Sequence, residues 1–154
     1  MWGEMTEDRT PPLPWPPPSG WDQTLGLRIV RASRDEVVAE YDVDARHHQP
    51  YGIVHGGVHC SVVESVCSTG AAMDAMARGQ SVVGVENHTS FIRAVRSGRI
   101  SVRATPITRG RRSQLWEAVA RDAEGRVVST GRVRLLCLDA GSELAGETVG
   151  AKRG

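Results

Sequence analysis

Residues 56–78 constrain the fold of this chain more than any other segment. Apolar residues recur there at helical spacing, and small residues fill the positions between them. This pattern predicts a long helix that is apolar on nearly every side and must be covered by other elements. Gly79 follows as a stop signal. The apolar residues are Val58, Val62, Val66 and Met73, and the small residues are Ser61, Ser65, Ser68, Gly70, Ala71 and Ala72.

Alternating apolar and polar residues predict strands on both sides of this helix. Two predicted strands precede it, over residues 25–30 and 36–43, with a polar turn between them. Four more follow it, over residues 81–92, 99–109, 113–122 and 127–138, and turn signals separate them. One helix is covered by such strands only if their sheet curls around it. The sequence therefore predicts an α+β fold, with one central helix wrapped by a curved antiparallel sheet of five to six strands.

The 154 residues fit a single domain, which we place at residues 21–139. Residues 1–20 hold six prolines and predict an extended or disordered arm, whose end Trp15 and Trp21 pin onto the domain. Residues 140–154 predict a flexible tail. A small sheet around one helix leaves strand edges and half the helix uncovered. We therefore expect a homodimer, and a dimer of dimers built from it.

The overall composition excludes few classes of function, because the formal net charge is only +1. Seven arginines between residues 93 and 112 suit a small molecule that carries phosphates better than a nucleic acid. Three cysteines without framework spacing fit a reducing compartment. No apolar run is long enough to span a bilayer, and the N-terminus is unlike a signal peptide. These features predict a cytoplasmic protein with neither a nucleic-acid nor a membrane partner.

The loop before the helix carries the chemistry. It runs from Gln49 to a His55-Gly56-Gly57 turn at the helix start. Glycines there leave backbone N–H groups bare at the positive end of the helix dipole, where a developing oxyanion is stabilised. Glu64 follows two turns later among apolar neighbours, which predicts a buried carboxylate able to act as base or nucleophile. Ser68 is four residues further on and faces the same way. Together these groups predict acyl chemistry.

Other uses of these side chains are weaker. His55 and His59 are spaced i, i+4, which suits a zinc site, but neither an HExxH run nor a CxxC pair is present. We therefore expect no metal and take His55 as a residue that shapes the loop. Cys67 lies in the predicted buried helix and is expected to be an inert small hydrophobe, and we expect the same of Cys60.

In these residues the sequence resembles the hotdog-fold acyl-CoA thioesterases. The resemblance is strongest to the PaaI-like branch, which contains one type of 4-hydroxybenzoyl-CoA thioesterase and the proofreading thioesterase of enterobactin synthesis. It covers roughly residues 24–138. At the positions of Gln49 and Glu64, other branches of the family carry Asn and Asp, so the resemblance places this chain with the relatives that carry Gln and Glu. The matching residues are Gln49, residues 51–57, Glu64, Ser68, residues 85–91, Arg93 and Val95.

The resemblance implies a role for each residue of the motif. The Gly56 N–H would polarise the thioester carbonyl, and Glu64 would attack it or activate water. Gln49 would orient the thioester, Ser68 would place the water, and His55 would lie nearby. In the family these groups meet at a subunit interface. The resemblance also implies a site for coenzyme A, which is part of the substrate, so no further cofactor is expected. Its expected residues are Gly57, Asn87, Thr89, Ser90, Arg93, Gly110, Arg111 and Arg112.

Three functions stay open at this stage. Hydrolysis of an acyl-CoA, or of an acyl carrier protein thioester, is the preferred hypothesis. A hydratase or dehydratase on the same fold would need a histidine and an acid as its working pair. A non-catalytic acyl-CoA binding module would use the proline-rich arm for docking.

Overall fold

The fold is a six-stranded antiparallel sheet around one long helix. The computed structural model describes residues 17–150, so most of the predicted arm, including Trp15, lies outside the described residues. In chain order the elements are α1 Gly20–Leu25, β1 Arg28–Ala32, β2 Val37–Val43, a 3-10 helix Ala45–His47, α2 Gly56–Met76, β3 Ser81–Phe91, β4 Gly98–Arg109, β5 Ser113–Arg121, β6 Val127–Leu138, β7 Glu143–Leu144 and β8 Glu147–Thr148.

The strands of the main sheet follow the order β1-β2-β4-β5-β6-β3, and all neighbours are antiparallel. The sheet curves around α2 without closing, so β1 and β3 are its edge strands within the described chain. The predicted architecture of one central helix and a wrapped antiparallel sheet is confirmed. Between residues 17 and 150, no helix has both the length and the apolarity needed to cross a bilayer.

The start of the first predicted strand is wrong. Residues 20–25 form α1 instead, and β1 begins only at Arg28. Gly26 ends α1 in a left-handed conformation (φ 67°), and its N–H donates to the carbonyls of Asp22 and Gln23. Leu25 and Leu27 are both buried, so their alternation reflects a helix end and a link rather than one continuous strand.

The short helix α1 packs on one flank of α2. The Trp21 Nε1–H donates to the Ser61 Oγ at 2.8 Å, and the Ser65 hydroxyl donates to the Asp22 carboxylate at 2.5 Å. The opposite flank of α2 lies against β3, where the Asn87 side-chain amide donates to the Cys60 carbonyl at 2.9 Å. A strip of α2 between these two flanks is left uncovered by the rest of the chain.

The inner side of α2 packs tightly on the sheet. Val62, Val63 and Val66 are at most 2 % exposed, and Trp116 of β5 is fully buried against the helix. A Cβ placed on Gly70 would lie 2.4 Å from the Trp116 ring. This close approach explains why a glycine stands in the middle of a helix, where it otherwise costs about 1 kcal/mol relative to alanine.

Gly70→Ala is expected to destabilise the protein by about 1–3 kcal/mol, because overpacking against Trp116 outweighs the gain in helix propensity. Urea unfolding followed by circular dichroism measures the loss. The double variant Gly70→Ala, Trp116→Leu supplies the control, since the smaller side chain makes room for the new methyl group. Its loss should be clearly smaller than the sum of the two single losses. Additive losses would contradict the proposed contact.

A short hairpin lies near the end of the described chain. Residues 143–148 form the hairpin β7–β8, whose strands hold two residues each and are exposed. Part of the segment predicted as a flexible tail therefore has regular structure.

Candidate active site

The loop that precedes α2 is held by its own backbone. The Gln49 N–H donates to the Ile53 carbonyl and the Gly52 N–H donates to the Gln49 carbonyl, both at 2.9 Å. Gly52 has a φ of 71°, which favours glycine at this turn. The Gln49 Oε1 accepts a hydrogen bond from the Tyr51 N–H. This bond fixes the side chain and leaves its NH2 group as a free donor.

The first turn of α2 offers one unused donor. The His55 Nδ1 caps the helix by accepting from the Gly57 N–H at 2.8 Å, and the Val58 N–H donates to the His55 carbonyl. The Gly56 N–H has no hydrogen-bond partner among residues 17–150. It therefore lies free at the positive end of the helix, where a carbonyl oxygen could accept from it.

This end of α2 borders a pocket of about 270 Å³. The Phe91 ring packs directly on Gly56, since a Cβ there would lie 2.4 Å from the ring. Gly56 is therefore required both for access to its N–H and for the position of Phe91. The pocket is lined by Gln49, Ile53, Val54, Gly56, His59, Phe91, Ile92, Arg93 and Ala94.

Glu64 lies on the uncovered strip of α2. It is exposed, so the expectation of a buried carboxylate is wrong for the single chain. Its apolar neighbours Val62, Val63 and Val66 point to other sides of the helix because successive residues are about 100° apart. The Glu64 carboxylate lies over Gly84 of β3, 2.9 Å from where a Cβ on that glycine would be. Ser68, half-buried, is one turn further along the same strip.

The predicted catalytic residues form two groups in one chain. Gln49 and Gly56 line the pocket, whereas Glu64 and Ser68 do not. Gly56 and Glu64 are eight residues apart on a continuous helix, a rise of about 12 Å. A glutamate side chain is too short to reach a carbonyl carbon held at the Gly56 N–H. The Gly56 N–H and the Glu64 carboxylate of one chain therefore cannot act on the same carbon.

The residues expected to bind coenzyme A are also separated. The Asn87 amide donates to α2, and the Thr89 hydroxyl donates to the Asn87 Oδ1 at 2.6 Å, so these two side chains join β3 to the helix. Arg93 lines the pocket beside Gly56, whereas Ser90 lines a second pocket, of about 420 Å³, on the outer face of the sheet.

Arg111 and Arg112 lie in the turn between β4 and β5, at the other end of β3. The Gln80 side chain, just before β3, donates to the Arg111 carbonyl. Gly110 closes this turn, and its N–H donates to the Ser113 carbonyl at 2.9 Å. β3 is eleven residues long, so roughly 30 Å separates these arginines from Arg93 within one chain.

Cys67, His55 and His59 differ in their surroundings, which bear on the other roles considered for them. Cys67 is buried, and burial raises the pKa of its thiol, which agrees with the inert role expected for it. His55 and His59 take different environments, since His55 caps α2 while the His59 ring stacks on Phe91. The sequence signalled His59 only through its spacing from His55 and gave no sign of its place in the pocket.

Comparison with known proteins decides the family. A model of the thioesterase superfamily matches residues 51–129. The chain belongs to the thioesterase superfamily. A candidate esterase of Mycobacterium tuberculosis, Rv1847, is 42% identical over 122 residues, which cover 78% of this chain and 87% of that protein. The proofreading thioesterase EntH of Klebsiella pneumoniae is 38% identical over 109 residues, covering 71% of this chain and 79% of that protein.

Solved structures of this superfamily share the fold. The structure of the Mycobacterium tuberculosis protein aligns with a TM-score of 0.76 and 43% identity, covering 77% of this chain and 96% of that chain. A thioesterase of Haemophilus influenzae aligns with a TM-score of 0.72 and 33% identity, covering 77% of this chain and 82% of that chain. The hotdog fold predicted from the sequence is thereby confirmed, and membership in the superfamily supports thioester hydrolysis.

Proposed function

We propose that this protein hydrolyses an acyl-CoA, or the equivalent thioester of an acyl carrier protein, to a free acid and a thiol. The observation that carries the proposal is the free Gly56 N–H at the start of α2, on the rim of a small pocket. A donor fixed there stabilises the oxyanion that forms when a thioester carbonyl is attacked. The exposed strip of the same helix supplies a carboxylate and a hydroxyl one turn apart.

A complete site requires two chains, because one chain holds its two groups about 12 Å apart. The edge strand β3 offers the means of pairing: it is long, and its outer edge has no strand partner within the described chain. Val85, Phe91 and Ile92 are 51%, 57% and 57% exposed at this edge, which is apolar surface for a partner to cover. We infer a homodimer whose two β3 strands pair in antiparallel fashion.

This pairing brings the separated groups together. Glu64 lies over Gly84, and Phe91 lies against Gly56. If the twofold axis passes between Asn87 and His88, Gly84 of one chain lies opposite Phe91 of the other. Glu64 of the partner subunit then approaches the pocket at Gly56. The same twofold rotation brings Arg111 and Arg112 of the partner subunit toward Arg93. One twofold axis therefore brings together both the catalytic groups and the arginines that are far apart in one chain.

In the proposed reaction, the Gly56 N–H and the free NH2 group of Gln49 hold the thioester. Glu64 of the partner subunit takes a proton from a water placed by Ser68, and the water oxygen attacks the carbonyl carbon. The tetrahedral intermediate then collapses, the C–S bond breaks, and the thiolate takes the proton from Glu64.

Alternatively, the carboxylate itself attacks, giving an anhydride that water opens. Single turnover in ¹⁸O-water identifies the anhydride route if label enters Glu64, which happens when water opens the anhydride at the Glu64 carboxyl carbon. Neither route needs a metal or redox cofactor.

A panel of acyl-CoA thioesters with a free-thiol assay tests the proposal. Thiol release supports it, addition of water to an enoyl-CoA would favour a hydratase, and binding without turnover would favour a binding module. The capping role of His55 argues against the hydratase, because the Nδ1 that would pair with an acid is occupied by the Gly57 N–H. We place the enzyme in the cytoplasm, where acyl-CoA is made and used, as a dimer that pairs further into a dimer of dimers.

Removing the charges of Arg111 and Arg112 is expected to raise KM for an acyl-CoA about tenfold or more, with little change in kcat. Neither guanidinium has a hydrogen-bond or ion-pair partner among the described residues, so both are available to phosphate groups. Initial-rate kinetics of the double glutamine variant measure the effect. Arg31 and Arg103, which both pair with Glu36 on the sheet, provide a control with the same change in charge. An unchanged KM in the Arg111, Arg112 variant would defeat the assignment.

A further inference from the structure

His59 is a buried titratable residue that the proposed reaction does not use. It lies one turn after Gly56 on α2, is 4% exposed, and lines the same pocket of about 270 Å³. Its ring stacks on Phe91, with the ring centroids 5.8 Å apart and the planes at 29°. Stacking on a neighbour that is itself packed on Gly56 fixes the orientation of the imidazole.

No hydrogen-bond or ion-pair partner of the His59 ring nitrogens lies among residues 17–150, and neither nitrogen belongs to the enclosed polar atoms without a hydrogen bond, which are in Tyr41, Asp74 and Ser129. The other buried histidine, His47, uses both of its nitrogens: its Nδ1 accepts from the Asp44 N–H, and its Nε2 donates to the Leu25 carbonyl. Buried polar groups are nearly always hydrogen-bonded in folded proteins. Because its nitrogens are unpaired and not enclosed, the imidazole of His59 can bond a ligand in the pocket that it lines.

The remaining pocket wall limits what that ligand can be. Apart from Gln49 and Arg93, the side chains beside His59 are apolar. The pocket in one chain is just under the range of about 300–1,000 Å³ that is usual for small-molecule sites, which suits a short acyl group. Burial lowers the pKa of His59, so near neutral pH the ring offers one donor and one acceptor.

We propose that His59 is a specificity-determining residue that hydrogen-bonds a hydroxyl or carbonyl substituent of a short acyl group whose thioester carbonyl is held at Gly56. The inference rests on the proposed hydrolysis and adds the class of acyl group. Gly56 and His59 are three residues apart, a rise of about 4.5 Å, so the substituent lies within a few bonds of the carbonyl. A plain alkyl group of the same length would leave the imidazole buried without a partner.

Matched CoA thioesters test this assignment. Wild-type protein is expected to show a kcat/KM for 3-hydroxybutyryl-CoA at least about tenfold above that for butyryl-CoA, and both above that for decanoyl-CoA. In His59→Leu the ratio of the first two should fall about tenfold or more, and His59→Gln should restore part of it because its amide can still donate and accept. Glu124→Leu, which changes an exposed residue in the turn between β5 and β6, should keep the wild-type ratio.

The outcomes separate this inference from the proposed function. Hydrolysis of both short thioesters at a ratio that His59→Leu leaves unchanged would overturn the role of His59 alone. Hydrolysis of none of the thioesters by wild-type protein would overturn both. Should His59→Leu fail to fold, ring-nitrogen NMR of His59 in otherwise intact Glu64→Gln protein decides the matter. The resonance should shift with 3-hydroxybutyryl-CoA and not with butyryl-CoA, and equal responses to the two would refute the hydrogen bond.

Discussion

Glu64→Gln is expected to lower thioester hydrolysis by about a hundredfold or more while leaving the fold intact. The amide keeps the size of the side chain but can neither take a proton from water nor attack a carbonyl, and loss of a positioned base typically costs 10²–10⁴ in rate. Folding should be unaffected because Glu64 is exposed in the chain and has no hydrogen bond or ion pair among the described residues. The measurement is kcat on an acyl-CoA that wild-type protein hydrolyses, with thermal unfolding measured in parallel.

The matched control is Glu124→Gln, which removes an exposed carboxylate from the turn between β5 and β6. Its turnover should equal that of wild type. Since surface substitutions usually change stability by less than about 0.5 kcal/mol, both variants should unfold near the wild-type midpoint. Wild-type turnover in Glu64→Gln would remove this residue from the mechanism, whereas a large loss of stability would mean that its carboxylate is structural.

Most helices and strands of the fold were predictable because their apolar residues recur at the spacing that is needed to bury one side of a helix or strand. The last strand was predicted over residues 127–138, and β6 has those same bounds. The start of the chain was not predictable in this way, because Leu25 and Leu27 satisfy both an alternating pattern and the end of a short helix. The left-handed Gly26 decides between them, and a glycine at that position was the signal available in the sequence.

The sequence nominates the residues of the candidate site but not their arrangement. The apolar neighbours of Glu64 in sequence suggested a buried carboxylate, but a helix directs adjacent residues to different sides. The distance between Gly56 and Glu64 follows from the helical rise alone, so their separation within one chain was implicit in their spacing. The sequence did not indicate that His59 lies in the pocket, because its stacking on Phe91 joins residues that are 32 positions apart in the chain.

Mixing two deficient variants is expected to restore activity if each site is built from two chains. Gln49→Ala removes a side chain that lines the pocket at Gly56, and Glu64→Gln removes the carboxylate on the uncovered strip of α2. In a mixed dimer, one site combines the intact pocket of the Glu64→Gln chain with the intact Glu64 of the Gln49→Ala chain. The other site carries both defects. Random reassortment gives about half mixed dimers with one intact site of two, so about a quarter of wild-type turnover should return.

The control for this experiment replaces Gln49→Ala by Ser68→Ala. Ser68 is on the same strip as Glu64, so every site of that mixed dimer carries a defect and turnover should stay at the average of the two parents. Each pair is unfolded together, refolded and assayed at equal total protein, beside each parent treated alone. Recovery with Gln49→Ala and not with Ser68→Ala requires that Glu64 serve the pocket of the other chain. Equal results for the two pairs would place the whole site within one chain, and the 12 Å separation along α2 would then have to be closed by a rearrangement of the helix itself.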